Sequence, residues 1–337
     1  WPSACGECRL GIQRWRGSVR YMLDAPGYEC GAGRERGRAV AAGVHRGGIL
    51  LMRKPIELIA TCDGAYLAPL RSAMASCVIN NPGERFCLHL LHSTVDEKSL
   101  LHMDAYCRYL GVDFCAHGID RSLFDGAYAS KRYPQEVYYR LLAPHVLAEV
   151  EGRALYLDPD VLVINPLRPL VEVDLKGRAF AAASHLDAAH PVTGINKIRL
   201  DTTGAYFNTG VILMDMPAAR RAIDPAGMMA YARDHEAEML FPDQDLFCAL
   251  YGASTLEVPD KLWNYDARKY TDYLVRTGGE STMAWVMENT SILHFCGRDK
   301  PWNVGYHGRF DALYKNYMMI AARAAERAWA EGEERGR

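Results

Sequence analysis

The chain has 337 residues, 49% hydrophobic, 24% charged and 10% aromatic, enough to bury one large core or two modest ones. Its 39 Lys and Arg against 41 Asp and Glu leave a formal net charge of −2, so no positive field exists to hold a phosphate backbone, and nucleic acid is not expected as a partner. No stretch approaches the roughly 18 apolar residues that a bilayer crossing requires.

The first fifty residues are rich in Gly and Arg, lack Lys and show no sustained hydrophobic period. Such a segment buries too little to offset its ordering entropy, so residues 1–51 are expected to be flexible and outside the fold, with Met52 as a plausible start and activity intact without them. Within it, Cys5-Gly-Glu-Cys8 with Cys30 and His45 matches no standard zinc module. Gly31 to Gly37 follows no apolar strand and lacks the dinucleotide glycine spacing. The cysteines from Cys62 onward sit singly in apolar stretches and read as reduced core thiols of a cytosolic protein.

From residue 55 the pattern alternates. An apolar run, Ile56 to Ala60, meets the turn Cys62-Asp63-Gly64 and then a helical stretch ending near Asn80-Asn81-Pro82. Phe86 to Leu91 predicts a strand, Leu100 to Leu110 a helix and Val112 to Ala116 a strand. Pro134 suits the first position of a helix over 135–150, which Pro144 should kink or split. Further strands are predicted at Ala154 to Leu157, Ala179 to Ala183, Tyr206 to Met214, Thr255 to Val258 and Ser291 to Phe295. A final helix is predicted from Phe310 to about Ala330, with Leu313, Tyr317, Ile320 and Ala324 on one face. Strands alternating with helices predict an α/β fold whose sheet is mostly parallel.

The sharpest motif is Leu155-Tyr-Leu-Asp158-Pro159-Asp160-Val161, a buried-type strand running into two carboxylates. Ligands bind at the carboxyl ends of strands in open α/β sheets, and two adjacent acids raise each other's pKa unless a cation lies between them. A hard divalent ion explains the pair; the plainer alternative is a turn in which Asp and Pro only punctuate two strands. His294, at the end of Ser291-Ile-Leu-His294, offers a third ligand, although a lone histidine at a strand end is more often a satisfied structural residue. Gly297 permits close backbone approach and Lys300 supplies a point charge, which together with a metal describe a diphosphate cradle. The triplet Asn208-Thr209-Gly210 opens a buried strand. Pro242 before Asp243 suggests that Asp243 caps a short helix, and Asp243-Gln244-Asp245 exceeds what a cap needs and suits sugar hydroxyls.

The ordered set Ala60-Thr-Cys-Asp63-Gly-Ala-Tyr66, Tyr138-Tyr-Arg140-Leu-Leu, Leu155-Tyr-Leu-Asp158-Pro-Asp160, Phe207-Asn208-Thr209-Gly210-Val, Asp243-Gln244-Asp245 and His294-Phe-Cys-Gly297-Arg-Asp-Lys300-Pro-Trp302 resembles glycosyltransferase family 8. This family includes bacterial lipopolysaccharide galactosyl- and glucosyltransferases and glycogenin. The resemblance spans about residues 55–305. It implies a GT-A fold, with a catalytic domain over 52–305 and a helical tail over 306–337. The implied activity is Mn²⁺-dependent, retaining transfer of galactose or glucose from a UDP-sugar to a glycan or glycolipid acceptor, in lipopolysaccharide or surface-glycan synthesis, with Mg²⁺ as the alternative ion.

Carried across by position, the resemblance makes Asp158, Asp160 and His294 metal ligands. It places Asp63 and Tyr66 at uracil and ribose, and Gly297 and Lys300 at the diphosphate. Arg140, Asn208, Thr209, Asp243 and Gln244 fall in the donor-sugar pocket, with Gln244 beneath the anomeric carbon. Three positions depart from the family pattern. Pro159 has no N–H and offers the nucleotide only its carbonyl. Gly64 and Ala65 replace Asp and Asn, and Thr209 stands where Ala is frequent.

The implied location is the cytoplasm. A tail mixing Arg323 and Arg327 with Glu326, Glu331, Glu333 and Glu334 leaves peripheral contact with the inner face of a membrane weakly encoded. The loop Leu186 to Leu200 is where acceptor contacts are expected. Three competing readings remain: a nucleotide-sugar-binding protein without turnover, self-glucosylation on a tyrosine, and a haloacid-dehalogenase-type phosphatase. The last is disfavoured because Val161 and Leu162 follow the acidic pair and no later Asp-Asp pair exists.

Overall fold

The structure is a computed structural model. It describes residues 53–121, 136–184, 199–200, 202 and 204–335. The N-terminal segment with Cys5, Cys8 and Cys30, most of the loop over 186–200 and the first residues of the helix expected from Pro134 lie outside the described residues.

Strand β1 (Ile56–Thr61) leads through a single 3-10 turn into helix α1 (Leu67–Ile79). Then follow β2 (Phe86–His92), α2 (Glu97–Tyr109), β3 (Asp113–Gly118), α3 (Glu136–Val146) and β4 (Arg153–Leu157). The central part holds β5 (Val161–Val163), α4 (Arg168–Val171), β6 (Phe180–Ala183), β7 (Asn208–Asp215), α5 (Met216–Ala222), α6 (Pro225–Asp234) and α7 (Pro242–Tyr251). The chain continues through β8 (Thr255–Glu257), α8 (Asp260–Trp263), β9 (Tyr265–Asp266), α9 (Tyr270–Arg276), α10 (Met283–Asn289) and β10 (Ile292–His294) to the long α11 (Asp311–Arg335).

Seven strands form one mixed sheet in the order β3-β2-β1-β4-β7-β6-β8. The pairs β1–β2, β2–β3, β1–β4 and β6–β8 are parallel, while β7 runs antiparallel to both β4 and β6. The chain steps outward from β1 to β2 and β3 and then returns to lay β4 on the other side of β1. The carboxyl ends of β1 and β4 are thus the switch point where an open α/β sheet holds its ligand. A second sheet, β5-β10-β9, stands beside it.

Apolar residues cover both faces of the large sheet. Leu58, Leu88, Leu90 and Leu155 pack with α1, whose Leu70, Ala73, Met74 and Cys77 are buried, and α11 lies across α1 and α2. On the opposite face Ile59, Tyr156, Ile212 and Met214 pack against α3 and α7. Helix α11 turns a stripe of Tyr314, Tyr317, Ala321, Ala324 and Ala328 inward at helical spacing, so it joins the body of the fold through this face. The two asparagines that follow α1 tie it to the chain beyond β4: Asn80 Nδ2 donates to the Val163 carbonyl of the second sheet (2.9 Å) and Asn81 Oδ1 accepts from Leu167 N just before α4 (2.7 Å).

Two expectations need correction. Helix α3 ends at Val146 rather than Val150, two residues beyond Pro144, whose missing N–H and ring weaken the ladder there. Cys87 and Cys115 do not sit singly, because adjacent strands β2 and β3 bring them together.

Candidate active site

The sequence ends β4 at Leu157 because Pro159 cannot continue a ladder, and the chain turns with Asp158 half-buried and Asp160 buried before β5 begins. β5 pairs antiparallel with β10, Val161 opposite His294, and Phe295 N donates to the Asp160 carbonyl (3.0 Å). This pairing carries a histidine 134 residues downstream onto the acidic turn. One ligand atom each of Asp158, Asp160 and His294 lies within 4.8 Å of the others. His294 Nε2 is 3.3 Å from Asp160 Oδ1 and 3.7 Å from Asp158 Oδ2.

The ring is oriented from behind. His294 Nδ1–H donates to Asn264 Oδ1 (2.9 Å), which turns Nε2 to the carboxylate side, where a bound cation would take the place of its proton. Asn264 Nδ2 donates in turn to Asn208 Oδ1 (2.9 Å), which also accepts from Gly210 N (3.0 Å). Gly210 is required by space: a Cβ there would sit 2.2 Å from His294 Cε1 and 2.8 Å from Asp158 Oδ2. Burial alone would push the His294 imidazole down, but Cys296 and Asp160 beside it outweigh that and hold it well above its ordinary value. Burial would likewise push Asp160 up, yet His294 and Lys300 keep it well below the usual carboxylate range. The spot between these groups draws positive charge, and one imidazole with two carboxylates is a donor set that fits a hard or borderline divalent ion.

Arg140, on α3, is buried and spans the site. Its Nη2 lies 3.1 Å from Asp158 Oδ1, and its Nη1 lies 3.1 Å from Asp243 Oδ2 and donates to the Thr209 carbonyl (2.9 Å). The guanidinium stacks over the Tyr156 ring at 4.7 Å, and the Tyr156 hydroxyl donates to Asp158 Oδ1 (2.6 Å). Thr209 Oγ1 donates to Asp243 Oδ2 (2.7 Å), and Asn208 Nδ2 donates to Gln244 Oε1 (3.3 Å). Burial raises the Asp243 carboxyl, with Arg140 and Thr209 opposing.

Asp243 is not the helix cap that the sequence suggests. α7 starts at Pro242 with Phe241 as its cap residue, and Asp243 lies inside the first turn, where a carboxylate meets the helix dipole favourably. Nor does Asp245 face a ligand. It is fully buried and holds Arg199, the Tyr206 hydroxyl and the backbone N–H groups of Leu240 and Phe241.

On the other wall, Asp63 caps the turn after β1, accepting from Ala65 N (2.9 Å) and Tyr66 N (3.3 Å), and Tyr66 packs edge-on to Trp302 at 5.6 Å. Pro159 is buried within the acidic turn. Lys300 Nζ donates to Asp160 Oδ2 and to the Phe295 carbonyl (3.0 Å), so its charge is anchored on the acidic pair. Gly297 adopts φ +93°, a conformation L side chains rarely take, and a Cβ there would meet Arg268 Nη1 at 2.5 Å. Sequence reading missed Asn264, Tyr156, Arg268 and the spatial need for Gly210. Arg268, paired with buried Asp266, and Asn264 carry no local signal, since each sits in an irregular stretch between short elements.

The model of glycosyl transferase family 8 matches residues 57–304, a span holding every group described above. The chain belongs to glycosyl transferase family 8. It is similar to General stress protein A of Bacillus subtilis (strain 168), with 24% identity over 277 residues covering 79% of this chain and 95% of that protein. It is also similar to Lipopolysaccharide 1,2-glucosyltransferase of Escherichia coli, with 21% identity over 249 residues covering 72% of this chain and 71% of the relative. Among solved structures, galactosyltransferase LgtC in complex with donor and acceptor sugar analogs superposes with a TM-score of 0.67 at 21% identity, covering 79% of this chain and 96% of that one. This family 8 glycosyltransferase has the GT-A-like architecture expected from the sequence: a mixed, largely parallel sheet flanked by helices. Among its described residues, no helix is long and apolar enough to cross a membrane.

Proposed function

We propose that this family 8 glycosyltransferase moves galactose or glucose from a UDP-sugar to a hydroxyl of a glycan or glycolipid, with retention at the anomeric carbon and with Mn²⁺, or Mg²⁺ in its place, on Asp158, Asp160 and His294. The observation that carries the reading is the His294 imidazole, its Nδ1 tied to Asn264 and its Nε2 turned toward both carboxylates at the switch point of the sheet. Bound there, the ion supplies Lewis-acid stabilisation of the charge that develops on the departing diphosphate.

The chain's own groups do the rest. Lys300, held on Asp160, adds fixed positive charge beside the leaving group, where it is worth most because the site is buried. Asp63 and Tyr66 hold uracil and ribose, and the Pro159 carbonyl and Gly297 line the nucleotide. Arg140 locks Asp158 and Asp243 to each other, so the metal side and the sugar side share one rigid bridge. Asn208, Thr209 and Asp243 receive the donor-sugar hydroxyls. Gln244 has its Oε1 engaged by Asn208 and a side-chain hydrogen bond to Tyr206, which hold the amide in place; an amide is a poor nucleophile and a good orienter. Same-face transfer follows: the bond from the anomeric carbon to the diphosphate breaks with its electron pair on the diphosphate oxygen. The acceptor oxygen bonds to that carbon from the same side, and the acceptor's proton passes to the departing diphosphate.

In this reading the acceptor lies in lipopolysaccharide or another surface glycan, and the protein works in the cytoplasm, in part at the inner membrane face. Release of UDP from a panel of UDP-sugars, with Mn²⁺ and then with EDTA, tests the proposal. Metal-dependent hydrolysis of one UDP-hexose is expected and names the donor. Failure of every donor, together with no Mn²⁺-dependent UDP binding, overturns it.

A further inference from the structure

The edge of the large sheet farthest from β8 carries a second cluster that the transfer reaction does not use. Strands β2 and β3 each place a Cys-x-His pair on the same face: Cys87-Leu88-His89 and Cys115-Ala116-His117. The parallel register sets His89 beside Cys115 and, on the next strand inward, Glu57 beside Cys87. The opposite face of the same strands is ordinary core, with Leu58, Leu88 and Leu90 buried and Phe114 packed against them. Alternation has thus placed three donor-bearing strands side by side where a half-exposed apolar patch would otherwise stand.

The geometry points to a metal site. One ligand atom each of Cys87, His89 and Cys115 lies within 4.8 Å of the others. Cys87 Sγ is 3.5 Å from His89 Nε2, and Glu57 Oε2 is 2.9 Å from the same nitrogen. Bond lengths of about 2.3 Å for Zn–S and about 2.0 Å for Zn–N put sulfur and nitrogen about 3.5 Å apart around a tetrahedral ion. The imidazole is oriented from behind, its Nδ1 3.1 Å from His117 Nε2, as a ligating histidine is oriented by a partner on its other nitrogen. His89 is buried while Cys87 and Cys115 are only half-buried, so an ion can enter from solvent.

We propose that Cys87, His89 and Cys115 bind a thiophilic divalent ion of the zinc type, with water from the half-exposed side as the fourth donor and the Glu57 carboxylate beside it. Two soft thiolates select such an ion over the hard cation suited to the Asp158 site. Binding would release the two thiol protons to solvent and move the His89 proton from Nε2, where it faces Glu57, to Nδ1, where it faces His117 Nε2, and would place the ion's charge between the two thiolates. The ion would staple β2 to the edge strand β3.

Titration of the reduced full-length protein with Co²⁺ tests this. A thiolate-to-cobalt charge-transfer band with tetrahedral ligand-field bands is expected, saturating at one ion per chain and erased by Zn²⁺. The thiolate band should vanish in the Cys87→Ser/Cys115→Ser variant. It should persist in Cys5→Ser/Cys8→Ser/Cys30→Ser, in Cys296→Ser and in Asp160→Asn, which separates this site from the N-terminal cysteines and from the catalytic metal. Zn²⁺ should also shield Cys87 and Cys115 of the unmutated protein from alkylation, a readout that needs no variant to fold. Absence of a thiolate band in the unmutated protein, its survival in Cys87→Ser/Cys115→Ser, or alkylation unaffected by Zn²⁺ would each overturn the site.

Discussion

At Gly210 the absence of a side chain decides whether the site can assemble. The Gly210→Ala methyl would overlap the buried His294 ring, which its hydrogen bond to Asn264 holds in place, and press on Asp158. We expect Gly210→Ala to cost about 1 to 3 kcal/mol of stability as an overpacked core position does, and to reduce turnover at least a hundredfold, measured by thermal unfolding and by UDP release. Asn264 acts one step removed, through His294. Asn264→Ala leaves all three ligands in place but frees the ring, and the Mn²⁺ concentration for half-maximal turnover should rise about 10- to 100-fold, with a loss of about 1 to 3 kcal/mol of stability from the buried groups left without a partner. Arg140→Leu removes the buried cation from between two carboxylates, and the expected loss is about 3 to 5 kcal/mol in chemical denaturation. Arg140→Lys should not rescue activity, because an ammonium is a point charge and cannot span Asp158 and Asp243 together.

The elements are positioned by ties at their ends. The turn after α1 is fastened to α4 by Glu84, which accepts from Arg168 Nε (3.0 Å) and Nη2, with both side chains mostly buried. The hydrogen bond from Arg168 holds the Glu84 carboxyl below its ordinary value, against a smaller opposing effect of burial. A carboxylate whose folded pKa lies below the unfolded value of about 4.3 contributes stability above that pH, and the contribution fades as pH falls through the folded value. Unfolding free energy measured from pH 6 down to about 3 should therefore fall less steeply in Glu84→Gln than in the unmutated protein. The strands of the large sheet and α2 were legible from their period, but α2 opens at Glu97 rather than Leu100, because Asp96 accepts from Ser99 N (2.9 Å) and caps it earlier than the apolar pattern begins. The end of α3 was less legible, since its pattern runs on to Val150 while Pro144 weakens the backbone ladder before that.

Across the whole molecule, α11 joins surfaces that are far apart in sequence. Tyr314 packs edge-on to Phe295, next to His294, and Ala321 and Ala324 sit in the cluster that backs β1 and β2. A chain cut before Asp311 should lose its cooperative unfolding transition, monitored by far-ultraviolet circular dichroism. A truncated chain with an unchanged transition would mean that the helix is dispensable. The second sheet has the larger consequence for function, because only its β5–β10 pairing puts a histidine on the acidic turn, and only its neighbour α8 brings Asn264 behind that histidine.

Sequence alone determined the alternating architecture, the acidic pair at a strand end and the family signature, because each is written in consecutive residues through period, proline and charge. What tertiary structure decided was partnership. Asp245, adjacent to two site residues in sequence, turns inward to hold Arg199 and Tyr206, while Asn264, in no motif, lies directly behind the metal-facing ring. Cys87 and Cys115, each unremarkable in its own strand, become one cluster through the register of β2 against β3. Local preference acts over a few residues, whereas strand register and sheet order bring together groups separated by dozens, and hydrogen bonding across that distance is fixed only when the chain has packed.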